Sequence, residues 1–167
     1  RGMLARGMRK LLIVWHSMTG GSEALARAAL AGATEVEARL LHASDVTAED
    51  MLGADGFLFV FPENLAAISG VMKAFFDRCY YPCLGQIEGR AYAVIVCAGS
   101  DGRGSVTQAE RIATGWRLKK VADSMIVCTH AQTPEAILAA KTITEPDLQK
   151  ARETGAALAA GLALGIY

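Results

Sequence analysis

The chain has 167 residues, 52% of them apolar, and its 17 basic and 17 acidic side chains leave a formal net charge of zero. That length suits one domain with a full core. The even balance gives no electrostatic reason to expect nucleic acid or an anionic membrane as partner, and no apolar run reaches the roughly 18 residues of a membrane helix.

Arg1-Gly2 stand without an initiating Met, so residues 1 to 8 read as an N-terminal extension or cloning remnant and residues 9 to 167 as a single domain. Of the cysteines, Cys79, Cys83, Cys97 and Cys128, only the first two lie close together, and the chain has 3 His. Paired zinc hooks are missing, so no metal site is expected. Reduced thiols and a cytoplasmic location are expected instead.

Lys10 to Trp15 is a continuous apolar run, as in a strand buried on both faces. Gly20-Gly21 follow, then a helix from Ser22 to Leu30 with Leu25, Ala28 and Ala29 at helical spacing. Glu35 to Leu41 is a weaker strand candidate, and Thr47 with Asp50 forms a cap for a short helix. The next strand runs from Gly56 to Phe61 and is expected to end at Pro62. Ile68, Val71, Met72, Phe75, Phe76 and Cys79 then keep the helical period, the clearest amphipathic stripe in the chain.

Ala91 to Cys97 is again a buried-type strand. Ser105 to Gln108 reads as a capping box, with Ala109, Ile112, Ala113 and Trp116 behind it. Ser124 to Thr129 is the fifth strand. Thr133-Pro134 and Thr144 to Asp147 read as helix starts. Leu148, Ala151, Gly155, Leu158 and Leu162 mark the last helix, whose Gly155 to Leu164 half is rich in small residues. Five alternations of strand and helix predict a three-layer α/β sandwich. Its doubly wound, five-stranded parallel sheet takes the order 2-1-3-4-5. Ligands of such sheets sit at the carboxyl ends of the strands.

Three loops therefore matter. The first, His16 to Ser22, carries hydroxyls at Ser17, Thr19 and Ser22, glycines at Gly20 and Gly21, and no Lys or Arg. Glycines let the backbone close tightly, and free amides at a helix start attract an anion. Taken alone, the loop is equally a strand-to-helix turn with Ser22 as its cap. The patterns GxxxxGK(S/T) and GxGxxG are both absent.

Ser17-Met18-Thr19-Gly20-Gly21-Ser22 resembles the phosphate loop of flavodoxin-like flavoproteins. Pro62-Glu63-Asn64-Leu65, followed by Met72 to Arg78, is similar to the second flavin loop and helix of flavodoxin-like reductases. Pro62-Glu63 resembles the Pro-Glu-Tyr-Asn of NADPH-dependent FMN reductases, with Asn64 in place of their Tyr. The resemblance implies a flavodoxin-like fold and FMN as cofactor. Ser17, Thr19, Gly20, Gly21, Ser22 and the Met18 amide would then meet the phosphate, and Pro62, Glu63, Asn64 and Leu65 would lie beside the isoalloxazine ring. The third loop, Ala98, Gly99, Ser100, Asp101, Gly102 and Gly104, would approach the pyrimidine edge.

The resemblance further implies electron flow from transient NADPH or NADH to a quinone, a flavin or another small acceptor, in a homo-oligomer. Loops two and three offer no aromatic to cover the ring, unlike electron-carrying flavodoxins, and the chain is not acidic. An electron-transfer flavodoxin and a flavin-free interaction domain on the same fold stay as alternatives. A carboxylate of Asp101 or Glu63 beside the pyrimidine ring would lower the flavin potential. Tyr80, Tyr81, Trp116, His130 and His16 read as packing.

Overall fold

The computed structural model describes residues 7 to 167, so the reading of residues 1 to 8 falls largely outside the described residues. Strand β1 (Lys10–Trp15) pairs in parallel with β2 (Glu37–His42) on one side and β3 (Gly56–Asn64) on the other. β3 pairs in parallel with β5 (Ala91–Ala98), and β3 also folds back antiparallel onto the short β4 (Ala67–Ile68). The outer position beyond β5 is shared by β6 (Lys119–Lys120) and β7 (Met125–Cys128), both parallel to it.

Among the described residues the sheet thus keeps the expected order but has seven strands instead of five. Two causes account for the difference. The edge strand breaks between its Ala91-Tyr92 and Ile95–Ala98 registers, leaving two pieces. The strand expected to stop at Pro62 continues through it into a hairpin. His16 N donates to the Val60 carbonyl. Pro62 lies past the end of the β1 pairing, which stops at Val60, so β1 loses no hydrogen bond to the missing N–H.

Alternation along the strands feeds two cores. Leu12, Val14, Phe57, Phe59, Phe61, Val94 and Val96 face one layer. It contains helices α2 (Ala48–Leu52), α3 (Gly70–Cys83) and α4 (Arg103–Gly115). Leu11, Ile13, Leu58, Val60, Ala93 and Ile95 face the other. That layer holds α1 (Gly21–Gly32) and α6 (Glu145–Leu164), while the short α5 (Pro134–Leu138) has no buried residue.

Thr47 and Asp50 form the expected capping box on α2, and Thr133 caps α5. Ser105 and Gln108 do not cap α4: its N-cap is Gly102, and Gln108 turns away to accept the Ile68 amide. The amphipathic helix starts at Gly70, so Ile68 belongs to the hairpin. Among the described residues, no helix is long and apolar enough to cross a membrane.

The small residues of α6 have an internal use. A Cβ on Gly155 would run into the Ala29 backbone, and one on Gly32 into the Arg152 backbone. The two helices approach to main-chain contact there, so the Gly155 face is taken by α1 and is not a surface for a second subunit.

Candidate functional site

β1, β3 and β5 are adjacent and parallel, so the three loops after them lie side by side at one sheet edge. In the first loop, Gly20 takes φ 98°, a left-handed conformation that suits glycine, and is the N-cap of α1 without a side-chain cap. Its amide donates to Ser17 Oγ at 2.9 Å, which closes the turn. Gly21 has no room for a side chain, since a Cβ would sit 2.8 Å from Cys97 Sγ.

The opening amides of α1, from Gly21, Ser22 and Glu23, have no acceptor within the helix. Ser22 is second in that helix, not its cap. Its side chain is 1% exposed and its Oγ has no hydrogen-bond partner. A buried hydroxyl without a partner costs about 1–3 kcal/mol. An anion at the helix start would satisfy it together with the amides. The loop therefore fits the phosphate of FMN. Met18 is 65% exposed beside it.

The second loop is a tight hairpin in which Asn64 pairs with Ala67. Its two tip residues, Leu65 at φ 52° and Ala66 at φ 65°, are both left-handed, which costs about 1 kcal/mol or more each in a residue with a Cβ. The leucine side chain is fully exposed. Surrounding bonds hold this geometry. Ile68 N donates to Gln108 Oε1 at 2.9 Å and Ser69 N to the Pro62 carbonyl at 3.3 Å.

Glu63 supplies the strongest of these ties. Its Oε1 accepts the Gly102 amide at 2.9 Å and its Oε2 the Ser105 amide at 3.1 Å. A carboxylate from loop two thus caps helix α4 and locks loop three in place. Gly104 is required for the same junction, because a Cβ there would lie 2.5 Å from the Ala66 carbonyl oxygen. Gly102 takes φ 94°.

Both carboxylates invoked for tuning have partners within the protein. Glu63 is bound to backbone amides. Asp101 pairs with Arg103 Nε at 2.8 Å, and the bonds from Arg103 hold its carboxyl below the ordinary range. Ala98 is buried, Gly99 partly so, and Ser100 is exposed at the rim.

His16 joins loop one to loop two. Its Nδ1 and Ser69 Oγ share a hydrogen bond of 2.7 Å, and both residues are buried. The His42 ring lies edge-on 5.8 Å away. Burial, then the neighbouring His42, push the His16 imidazole below its ordinary 6.5. The neutral form is thus the one the fold accommodates. Its stabilisation is complete above the ordinary value and is lost as pH falls through the lower folded value. Urea unfolding midpoints should therefore drop between about pH 7.5 and about pH 5.5, and His16→Gln should flatten that drop. An equal drop in the variant would assign the effect elsewhere.

Trp116 and Tyr80 are packing, as expected, whereas Tyr81 is 79% exposed and His130 is exposed as well, so neither is the packing residue expected of it. Trp116 is fully buried, stacks on Tyr80 at 5.5 Å and donates from Nε1 to the Tyr80 carbonyl at 2.9 Å. Arg78, within the family-like run, donates to the Ala43 and Val46 carbonyls and braces α3. Asp77 pairs with Lys73. The cysteines are free thiols, and burial pushes Cys83 and Cys97 up to about 11. Among the described residues no group of three or more His, Cys, Asp or Glu could hold a metal ion. Sequence reasoning missed Ser69, Gln108 and Ser105 as site supports, because each reaches its partner across about 40 residues of chain or more.

Residues 42 to 131, more than half of the chain, match the family model described as NADPH-dependent FMN reductase. A flavodoxin of Aquifex aeolicus (strain VF5) is 33% identical over 101 residues, covering 59% of this chain and 55% of that protein. The Arabidopsis thaliana protein named "Probable NAD(P)H dehydrogenase (quinone) FQR1-like 2" is 29% identical over 125 residues, covering 60% of this chain and 46% of the relative. The chain spans about half the length of these curated relatives. In fold, it resembles the WrbA-like flavodoxin of Agrobacterium tumefaciens, with TM-score 0.75, 18% identity, and coverage of 94% and 98% of the two chains.

Proposed function

Because the chain belongs to the NADPH-dependent FMN reductase family, we propose that it is a cytoplasmic FMN-dependent oxidoreductase. It would take electrons from a reduced nicotinamide, NADPH or NADH, and deliver them to a quinone, a flavin or another small acceptor. The observation that carries the reading is the unpartnered, buried Ser22 hydroxyl at the start of α1, in a loop closed by Ser17 and Gly20. FMN supplies the hydride and electron chemistry when bound.

The chain's own residues bind and orient. Ser17 to Ser22 would hold the phosphate. Pro62 to Leu65 and Ala98 to Gly104 would line the ring, with Glu63 holding those two loops together. No aromatic side chain stands in either loop, which leaves a ring face open to a second substrate. The exposed Met18 and Leu65 flank that edge and suit cover by a second copy in a homodimer.

Stopped-flow mixing of the FMN-loaded protein with NADPH and with NADH tests the reading. Rapid bleaching of flavin absorption by at least one of them is expected. The similarity to a flavodoxin favours a second reading, an electron carrier. Bleaching only through a separate reductase would establish that carrier and overturn the reductase. Sedimentation of the same sample should give a dimer, and a fully active monomer would remove the homodimer.

A further inference from the structure

The first loop contains no Lys or Arg, yet a lysine from the far end of the chain packs against it through its backbone and Cβ. Lys141 lies after α5, in the segment that returns from β7 to α6. Its backbone amide donates to the Thr19 carbonyl at 2.9 Å. Its Cβ lies 3.5 Å from the point where a Gly21 side chain would begin. Its charge is felt by the Cys97 thiol packed under Gly21, where it opposes the larger effect of burial.

Its ammonium is held by main-chain carbonyls, Ile137 O at 2.8 Å and Ala139 O at 2.6 Å. Those bonds use two of three N–H donors and leave one free. Lys141 is half-buried, and among the described residues it has no carboxylate partner. It therefore enters no ion pair, although the Asp147 carboxylate also acts on the Cys97 thiol, in the opposite sense.

The charge balance of the site calls for such a group. A phosphate monoester brings about two negative charges near neutral pH, whereas a helix N-terminus offers about half a positive one. We propose that Lys141 is the counter-charge of the phosphate loop, the residue that makes this site prefer FMN to a flavin without phosphate. The proposal rests on the FMN reading above. The carbonyl tethers fix the ammonium in advance, so little side-chain entropy is lost when the anion arrives.

Flavin-stripped wild type, Lys141→Gln and Lys141→Arg should each be titrated with FMN and with riboflavin, at low and high salt. Lys141→Gln is expected to weaken FMN roughly tenfold, equivalent to about 1.4 kcal/mol, and to change riboflavin by less than about twofold. It should also flatten the salt dependence of FMN binding, and Lys141→Arg should restore most of the affinity. An unchanged FMN affinity in Lys141→Gln would overturn the proposal. Equal weakening of FMN and riboflavin would also overturn it, because Lys141 would then be a structural prop. Failure of the wild type to bind FMN would instead overturn the FMN reading, and the proposal with it.

Discussion

Glu63→Ala is expected to destabilise the protein by about 2–3 kcal/mol, since two hydrogen bonds to a charged group are lost and two amides are left without an acceptor. The affected amides are those of Gly102 and Ser105, at the start of α4. Asp101 Oδ1 accepts the Arg103 amide, but among the described residues no other side chain takes the place of Glu63 at Gly102 and Ser105, because Gly102 has no side chain and Ser105 Oγ donates to the Gly102 carbonyl. Loop three would lose its tie to the hairpin, so FMN affinity should fall as well, by roughly tenfold.

Glu63→Gln separates the two consequences of the change. Its single amide oxygen can accept one of the two N–H groups, so its loss should be about half that of the alanine variant. Chemical denaturation gives the stability, and amide exchange at Gly102 and Ser105 locates the loss. Protection unchanged at both positions in Glu63→Ala would show that the brace does not hold loop three.

Gly155→Val is expected to cost about 3 kcal/mol or more, the upper end for overpacking. The reason is the nature of the neighbour. A side chain at Gly155 meets the backbone of Ala29 in the middle of α1, and backbone in a helix cannot turn aside as a flexible side chain can. The only relief is separation of α6 from α1, which would also expose Leu25 and Leu158. Gly70→Ala is the control, because a Cβ there meets nothing within 4 Å. It should be neutral or mildly stabilising, by up to about 1 kcal/mol. A Gly155→Val denaturation midpoint equal to that of wild type would rule out the close helix contact.

Lys10 to Trp15, Gly56 to Phe61 and Ala91 to Cys97 were legible as strands because a parallel sheet covered on both faces needs unbroken apolar runs. The order of elements, the sheet order and the place of the ligand edge follow from their alternation with helices. The Gly20-Gly21 loop was legible as well, since positive φ and close approach to Cys97 both require glycine. The hairpin at Leu65-Ala66 was not. Its tip lacks the Asn or Gly that signals such a turn, and distant partners, above all Gln108 and Glu63, hold it in that conformation.

The sequence by itself determined the glycine turn after the first strand, the strands that carry the three loops and the family resemblance, because each depends on residues adjacent in the chain. Tertiary structure decided the use of the polar groups. It made Glu63 a brace between loops two and three, made His16 and Ser69 a pin between loops, and closed the Gly155 face within the chain. It also brought Lys141 to a loop that has no cation of its own. Hydrogen bonds and charges act over a few ångströms in space, and residues 40 to 120 positions apart in this chain become neighbours only when the sheet assembles.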